Sequence, residues 1–251
     1  MARRARKKSE MGIYHVIFRG INQQQIFEDA EDCEKYLQVL NDYKAVSGYK
    51  LLAYCLMGNH IHLLIKEEAE TLEQIFKRIS GRYVYWYNTK YRRIGHLFQD
   101  RYKSEAIDND AYLMTVLRYI HRNPVKAQLA LRPEDYRWSS YREYLMETTQ
   151  IVDTYIALGI VTRDDFIHFH NRTENDSCLE VAEIRARLTD EEVRKIIAKK
   201  ASCETATQFQ ALAIEDRDEA LRKLKESGAS VRQVSRLTGI SKGVVERIFR
   251  T

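Results

Sequence analysis

Two short stretches of this 251-residue chain carry side chains whose types and spacing could set a cation beside a nucleophile. The first is His60-Ile61-His62. In an extended strand successive side chains alternate faces, so both imidazoles project the same way, about 6–7 Å apart along the backbone, while Ile61 and Leu63 project oppositely. Two neutral imidazoles on one face can grip one divalent ion. They suit Mn2+, Ni2+ or Zn2+ better than Mg2+, yet oxygen donors and a phosphate completing the shell would admit Mg2+. The second stretch runs from Tyr112 to Asn123, where Tyr119 and Asn123 are four apart and share a helical face. Asn123 could then supply a third ligand, and Tyr119 could attack a phosphate that the ion polarises. Each piece also has a plainer reading: two half-buried histidines in a hairpin, and a core tyrosine followed by a helix-terminal asparagine ahead of Pro124. Tyr112, two turns before Tyr119, is the rival nucleophile, but no amide follows it one turn on. His121 must point elsewhere on the helix.

Together these stretches resemble a known family. GNHIHLL (Gly58 to Leu64), HLFQDRYKSE (His96 to Glu105) and RYIHRNPVKA (Arg118 to Ala127) are similar to segments of REP-associated tyrosine transposases, within the single-tyrosine HUH transposases. IYHVIFRGINQQQIF (Ile13 to Phe27) and DYRWSSY (Asp135 to Tyr141) resemble that family too, so the similarity spans about residues 11 to 145. The resemblance implies that His60 and His62 are the HUH pair, Tyr119 the nucleophile and Asn123 the third metal ligand. Many single-tyrosine HUH transposases carry Gln at that last position; Asn fits the REP-associated branch. The implied activity is metal-dependent cleavage and rejoining of single-stranded DNA at hairpin-associated sites, through a 5′-phosphotyrosine and a free 3′-OH, with Mg2+ or Mn2+ as cofactor. No GxxxxGK[ST] loop is present, in keeping with a reaction that conserves phosphodiester energy without ATP.

Positioning such a site demands a sheet and an adjacent helix. Ile13 to Arg19 reads as a strand; Asp29 to Ser47 shows a helical apolar period ending near Gly48. Tyr49 to Leu56 and His60 to Lys66 read as two strands of a hairpin whose Gly58-Asn59 turn suits positive φ. A helix over about 72–88, a strand over Tyr102 to Ile107 and a capped helix to about Arg122, stopped by Pro124, complete the order. The expected fold is α+β: a ferredoxin-like core of split βαβ type, with an antiparallel sheet and helices on one face.

Composition narrows the function classes. Apolar residues make up 44% of the chain, enough for a buried core, but the longest apolar runs are far short of the ~20 residues that span a bilayer. The N-terminus is basic without the apolar stretch of a secretory signal, so a cytoplasmic protein with no membrane partner is expected. Cys33, Cys55, Cys178 and Cys203 lie far apart with no CxxC spacing, which supports neither a zinc knuckle nor a disulfide framework. The net charge of +5 is modest, but its distribution is uneven. Between Thr71 and Lys103, Lys77, Arg78, Arg82, Lys90, Arg92, Arg93, Arg101 and Lys103 oppose only Glu73 and Asp100, interleaved with Tyr83, Tyr85, Trp86, Tyr87, Tyr91, Phe98 and Tyr102. Cations on phosphates and rings on splayed bases are what single-stranded DNA requires. Of these, Lys77, Arg78, Arg82, Arg92, Arg93, Arg101 and Lys103 are the candidate DNA contacts; a solvated helix face with aromatic core contacts would look alike.

The C-terminal run from Ser230 to Phe249 has the layout of a helix-turn-helix. Ser230 and Ser241 are the caps, Gly239 the turn, and Val234, Leu237, Ile240, Val245 and Ile248 the shared seam. Ser241, Lys242 and Arg247 would face duplex DNA. The expected organisation is a catalytic domain over 1–150, a helical connector over 151–215 and this module over 216–251, acting as monomer or homodimer. Two other readings remain at this stage: a non-catalytic DNA-binding regulator, and a replication- or conjugation-type HUH nickase.

Overall fold

The computed structural model describes residues 7–146, 149–172, 178–179, 190–203 and 205–250. The chain forms two compact units, Met1–Val181 and Ala182–Thr251. Residues 151–172 of the expected connector therefore fold with the first unit, while Asp190 onward belongs to the second.

The first unit follows the expected element order. β1 (Ile13–Arg19), α1 (Ala30–Ser47), β2 (Lys50–Met57), β3 (His60–Lys66), α2 (Leu72–Lys90), β4 (Lys103–Ile107) and α3 (Asp110–Lys126) succeed one another. The four strands form one antiparallel sheet in the order β2-β3-β1-β4, the split βαβ arrangement. β1 and β3 take the centre, and five of the seven residues of β3 are buried.

The β2–β3 turn exists as expected, but neither Gly58 nor Asn59 takes a positive φ. Gly58 instead lies close against the Gln25 side chain, whose Oε1 would be 2.2 Å from a Cβ there and would have to shift for any larger residue. Its carbonyl accepts from Ile26 N at 2.8 Å and Phe27 N at 3.1 Å, while Asn59 O accepts from Gly20 N at 2.9 Å. The start of β3 is thus tied to the loop after β1.

Strand alternation sorts the side chains into two layers. Val16, Phe18, Ile61, Leu63 and Ile65 pack beneath the paired helices α1 and α2, with Phe18 and Phe76 ring centroids 5.0 Å apart. α1 starts on Asp29, whose carboxylate accepts from Asp32 N at 3.1 Å, and ends on left-handed Gly48. Lys90, at the end of α2, reaches back to Asp29 at 2.8 Å and Asp32 at 2.9 Å and pins the two helices together. The opposite face carries His15, Ile17 and His62 and lies beneath α3, so the expectation of helices on one face holds for α1 and α2 alone.

α3 begins on Asn109, which accepts from Tyr112 N at 2.8 Å. Against expectation it runs through Pro124 to Lys126. A proline deletes one ladder bond, but in the last turn little ladder remains to lose, and Ala127 N still donates to Asn123 O at 2.9 Å. Asn123 therefore keeps helical geometry one turn beyond Tyr119.

Beyond α3, α4 (Tyr141–Leu145), α5 (Tyr155–Leu158) and α6 (Arg163–Asn171) close the unit. Residues 138–140 pair with the outer edge of β2, Leu56 N to Trp138 O at 2.9 Å and Ser140 N to Tyr54 O at 3.0 Å, so that edge is not left exposed. His121, on the outer side of α3, sits in a buried network: 2.8 Å to Ser140 Oγ and 3.0 Å to His170, whose other nitrogen donates to Phe166 O at 2.9 Å.

The second unit holds α7 (Asp190–Ala201), α8 (Ala206–Gln210), α9 (Ile214–Glu226), α10 (Val231–Thr238) and α11 (Lys242–Arg250). Val193, Phe209, Leu221, Leu224, Val234, Val245 and Ile248 form its core. Ser230 and Gln233 make a capping box, and Gly239 takes the left-handed conformation, its Cα facing Gln210 so closely that a Cβ would lie 1.9 Å from the amide. None of the four cysteines is in a disulfide. Among the described residues no helix is long and apolar enough to cross a membrane.

Burial lowers the His170 imidazole from its ordinary 6.5 to about 3. The unfolded chain takes up a proton near pH 6.5, whereas the folded state refuses it. Stability from this group is therefore complete above that pH and is lost as pH falls toward 3. Urea unfolding of His170→Phe on acidification should show a pH slope shallower than wild type by up to about 1.4 kcal/mol per pH unit, one proton's worth. Identical slopes would show that this ring is not held neutral by the fold.

Candidate active site

His60 and His62 occupy the first and third positions of β3 and project to the α3 face, their ring centroids 5.0 Å apart. The His60 ring is half-buried, and its Nδ1 bonds Asn59 Oδ1 at 2.7 Å, which leaves Nε2 directed away from the turn. His62 is buried. Burial, reinforced by the Arg19 charge, lowers His60 to about 4. Burial, with repulsion from His15 and His60, lowers His62 well below the ordinary imidazole range. Both rings are neutral at physiological pH, the form in which imidazole binds a metal.

α3 delivers the other two groups, because residues four apart on a helix sit one above the other. Asn123 Nδ2 stands 3.3 Å from His62 Nε2, and the Tyr119 ring centroid is 5.7 Å from that of His62. All four side chains picked out by spacing therefore converge within one chain. Lys126 Nζ lies 5.7 Å from the Tyr119 ring centre and adds positive charge beside the phenol. Among the described residues no three His, Cys, Asp or Glu side chains gather to hold an ion. The donor set that does gather is two neutral imidazole nitrogens and one amide, which suits a borderline or hard divalent cation whose remaining positions go to oxygen. A turn of the Asn123 amide presents Oδ1 in place of Nδ2.

Residues 8–123 match the family described as Transposase IS200 like. Over that segment the chain is similar to the IS200-like transposases. Among solved structures, a REP-associated tyrosine transposase bound to a REP hairpin shares the fold, with a TM-score of 0.53 and 16% identity over 75% of this chain and 99% of that one. A protein of Deinococcus radiodurans R1 described as a candidate transposase matches at 17% identity over 48% of this chain and 97% of that one, with a TM-score of 0.35. No curated protein matches the sequence.

The rival phenol, Tyr112, sits a half-turn into α3. Burial, then its hydrogen bond to the Glu105 carboxylate, raises it above the ordinary phenol range. It is engaged with β4 rather than with the imidazole pair. The sequence did not single out His15, whose ring stacks on His62 with centroids 5.3 Å apart and meets Tyr119 edge-on at 5.9 Å. Nor did it single out Glu105 or Lys126. A strand pattern says that His15 shares a face with Ile17 and Ile13; only the pairing of Ile17 with His62 says whose neighbour it is.

The expected DNA contacts divide. Lys77, Arg82, Arg92, Arg101 and Lys103 are exposed. Arg78 is exposed but paired with Glu70 at 2.8 Å, and Arg93 is half-buried, donating to Gln24 Oε1 at 3.1 Å. Of the interleaved rings, Tyr83, Tyr87 and Tyr102 are core residues, whereas Tyr85 is exposed. In the second unit Ser241, Lys242 and Arg247 are exposed on α11 or its cap, with Lys242 3.3 Å from Glu246.

The two histidines should differ sharply in structural weight. His62→Ala removes a buried ring and strands a buried nitrogen of His15, costing about 2–4 kcal/mol, whereas half-buried His60→Ala costs about 1 kcal/mol or less. Urea denaturation of the two variants measures this, and equal losses would contradict the burial difference.

Proposed function

We propose that the first unit cleaves and rejoins single-stranded DNA beside a hairpin, with Tyr119 as nucleophile and His60, His62 and Asn123 as the ligands of Mg2+ or Mn2+. The observation that carries the reading is the convergence of the Tyr119 ring on the His62 imidazole, 5.7 Å between centroids, with Asn123 one helical turn on. The match of residues 8–123 to the IS200-like transposases supports the reaction class, and the solved structure of a REP-associated tyrosine transposase bound to a REP hairpin supports the choice of substrate.

A divalent cation bound there would withdraw charge from a non-bridging oxygen of the scissile phosphate. The chain's own part is to hold the phenol. α3 presents the Tyr119 ring against His15 and His62, both rigid core groups, which fixes the direction from which its oxygen approaches phosphorus. Attack forms the bond between Tyr119 Oη and phosphorus and breaks the bond to the 3′ oxygen. The phenolic proton is released and the 3′ oxygen takes one up, leaving a 5′-phosphotyrosine and a 3′-OH. Rejoining runs the same exchange backward with an incoming 3′-OH and returns the proton to Tyr119. Lys126, beside the ring, stabilises negative charge on the phenol oxygen as the proton leaves. The exposed cations Lys77, Arg82, Arg92, Arg101 and Lys103 would track the strand's phosphates, with Arg78 and Arg93 joining where their present partners release them.

In the second unit α10, Gly239 and α11 form a helix-turn-helix, and we assign it to duplex DNA, with Ser241, Lys242 and Arg247 toward the groove. A protein that reads a duplex with one unit and cuts a single strand with the other selects its locus before acting on it.

Incubation with hairpin-bearing single-stranded oligonucleotides and Mn2+ should yield a denaturation-resistant protein–DNA adduct. Tyr119→Phe should abolish it, Tyr112→Phe should preserve it, and chelator or His60→Ala should reduce its rate at least about 100-fold. An adduct that persists in Tyr119→Phe would assign the nucleophile elsewhere. Separately, Arg247→Ala should weaken duplex binding uniformly across sequences and reduce the salt slope by about one unit, as loss of one phosphate contact does. An unchanged slope would remove Arg247 from the interface.

A further inference from the structure

Beneath the candidate metal site lies a second layer of polar groups running into the sheet. His15, fully buried on β1, places Nε2 3.0 Å from His62 Nδ1. Its other nitrogen, Nδ1, has no hydrogen-bond partner within reach and is buried; the group facing it is the Glu105 carboxylate on β4, 3.8 Å away. Glu105 is held from the other side, accepting from Leu179 N at 3.0 Å and from Tyr112. The β1–β4 register sets His15 directly opposite Glu105, so the alignment is built into the sheet.

The charge beside His15 favours one direction for this chain of groups. An ionised carboxylate only accepts, so Glu105, 3.8 Å away, favours the His15 tautomer with the hydrogen on Nδ1 and a lone pair on Nε2. A lone pair at that nitrogen requires His62 Nδ1 to be the donor, which places the His62 lone pair on Nε2. Asn123 Nδ2, 3.3 Å from that same His62 Nε2, is in keeping with a lone pair there in the metal-free site. The lone pair therefore points out of the sheet, toward the place where His60 and Asn123 converge.

We propose that His15, aligned by Glu105, is a positioning residue that fixes the tautomer and ring plane of His62 and so presents Nε2 to the cation. The inference rests on the reading of His60, His62 and Asn123 as a metal site. Outer partners of this kind orient a ligand imidazole and raise its basicity, and their loss weakens metal binding by roughly 10- to 100-fold.

Two measurements on the DNA-free protein test it. The first is imidazole-nitrogen NMR of the metal-free protein, which reads the His62 tautomer. Wild type should show hydrogen on Nδ1; His15→Phe, which keeps ring volume but offers no nitrogen, should shift His62 toward hydrogen on Nε2; His15→Gln, whose amide oxygen can still accept, should restore the wild-type form. The second is Mn2+ titration followed by electron paramagnetic resonance. His15→Phe should bind roughly 10- to 100-fold more weakly than wild type, with His15→Gln and Glu105→Gln in between. Thermal melting identifies any variant that has lost the fold, and Glu105→Gln, at a partly exposed position, carries the test if His15→Phe does not fold. A folded His15→Phe with unchanged His62 tautomer and unchanged Mn2+ affinity overturns the proposal. Wild type that binds no Mn2+, or binds it equally well as His60→Ala, overturns the metal reading itself, and the tautomer spectra still judge the hydrogen-bond chain separately.

Discussion

The structure depends on the contact between two imidazoles from different strands. His15 of β1 and His62 of β3 lie diagonally across the central antiparallel pair, stacked and hydrogen-bonded, on a sheet face otherwise filled by groups such as Ile17 and Cys55. Buried polar rings on an apolar face are costly unless each nitrogen is met. Their unmet needs dictate what covers them: an amide above, from Asn123, and a carboxylate to one side, from Glu105. α3 is thus seated by polar complementarity as well as by the apolar packing of Leu113, Val116, Leu117 and Ile120.

That seating gives α3 two working sides. Tyr119 and Asn123 look toward the sheet, while His121 looks outward into Ser140 and His170. A helix gripped by polar contacts on both sides has little freedom to rotate about its axis, and rotation is the motion that would carry a phenol out of line with the imidazole pair. Glu143, which accepts from the backbone of Gln150, Ile151 and Val152 at 2.8, 2.9 and 3.0 Å, holds the chain that leads on to α6 and His170.

Local geometry was readable from the sequence wherever one element sufficed. His60 and His62 share a face because strands alternate, and Tyr119 and Asn123 share one because helices repeat; both statements need no knowledge of the neighbours. The role of His15 needed the β1–β3 register, which no single element encodes. Two local expectations failed for tertiary reasons. Gly58 sits against the Gln25 side chain without a positive φ, and Pro124 was absorbed because it falls in the final turn. In the basic aromatic stretch, the alternation of cations and rings arises partly from amphipathic packing: Tyr83 and Tyr87 face the core, and Lys90 ties α2 to α1. Pattern alone could not separate those from rings such as Tyr85 that face solvent.

The buried network around His121 carries the folding unit past the segment that the family model matches. That match ends at residue 123, yet the outer side of α3 is sealed by Ser140, Tyr141, Tyr144, Phe166 and His170. A fragment cut at residue 123 would open the His121 imidazole and its aromatic surroundings to water. What must stand together in water is therefore longer than the matched segment.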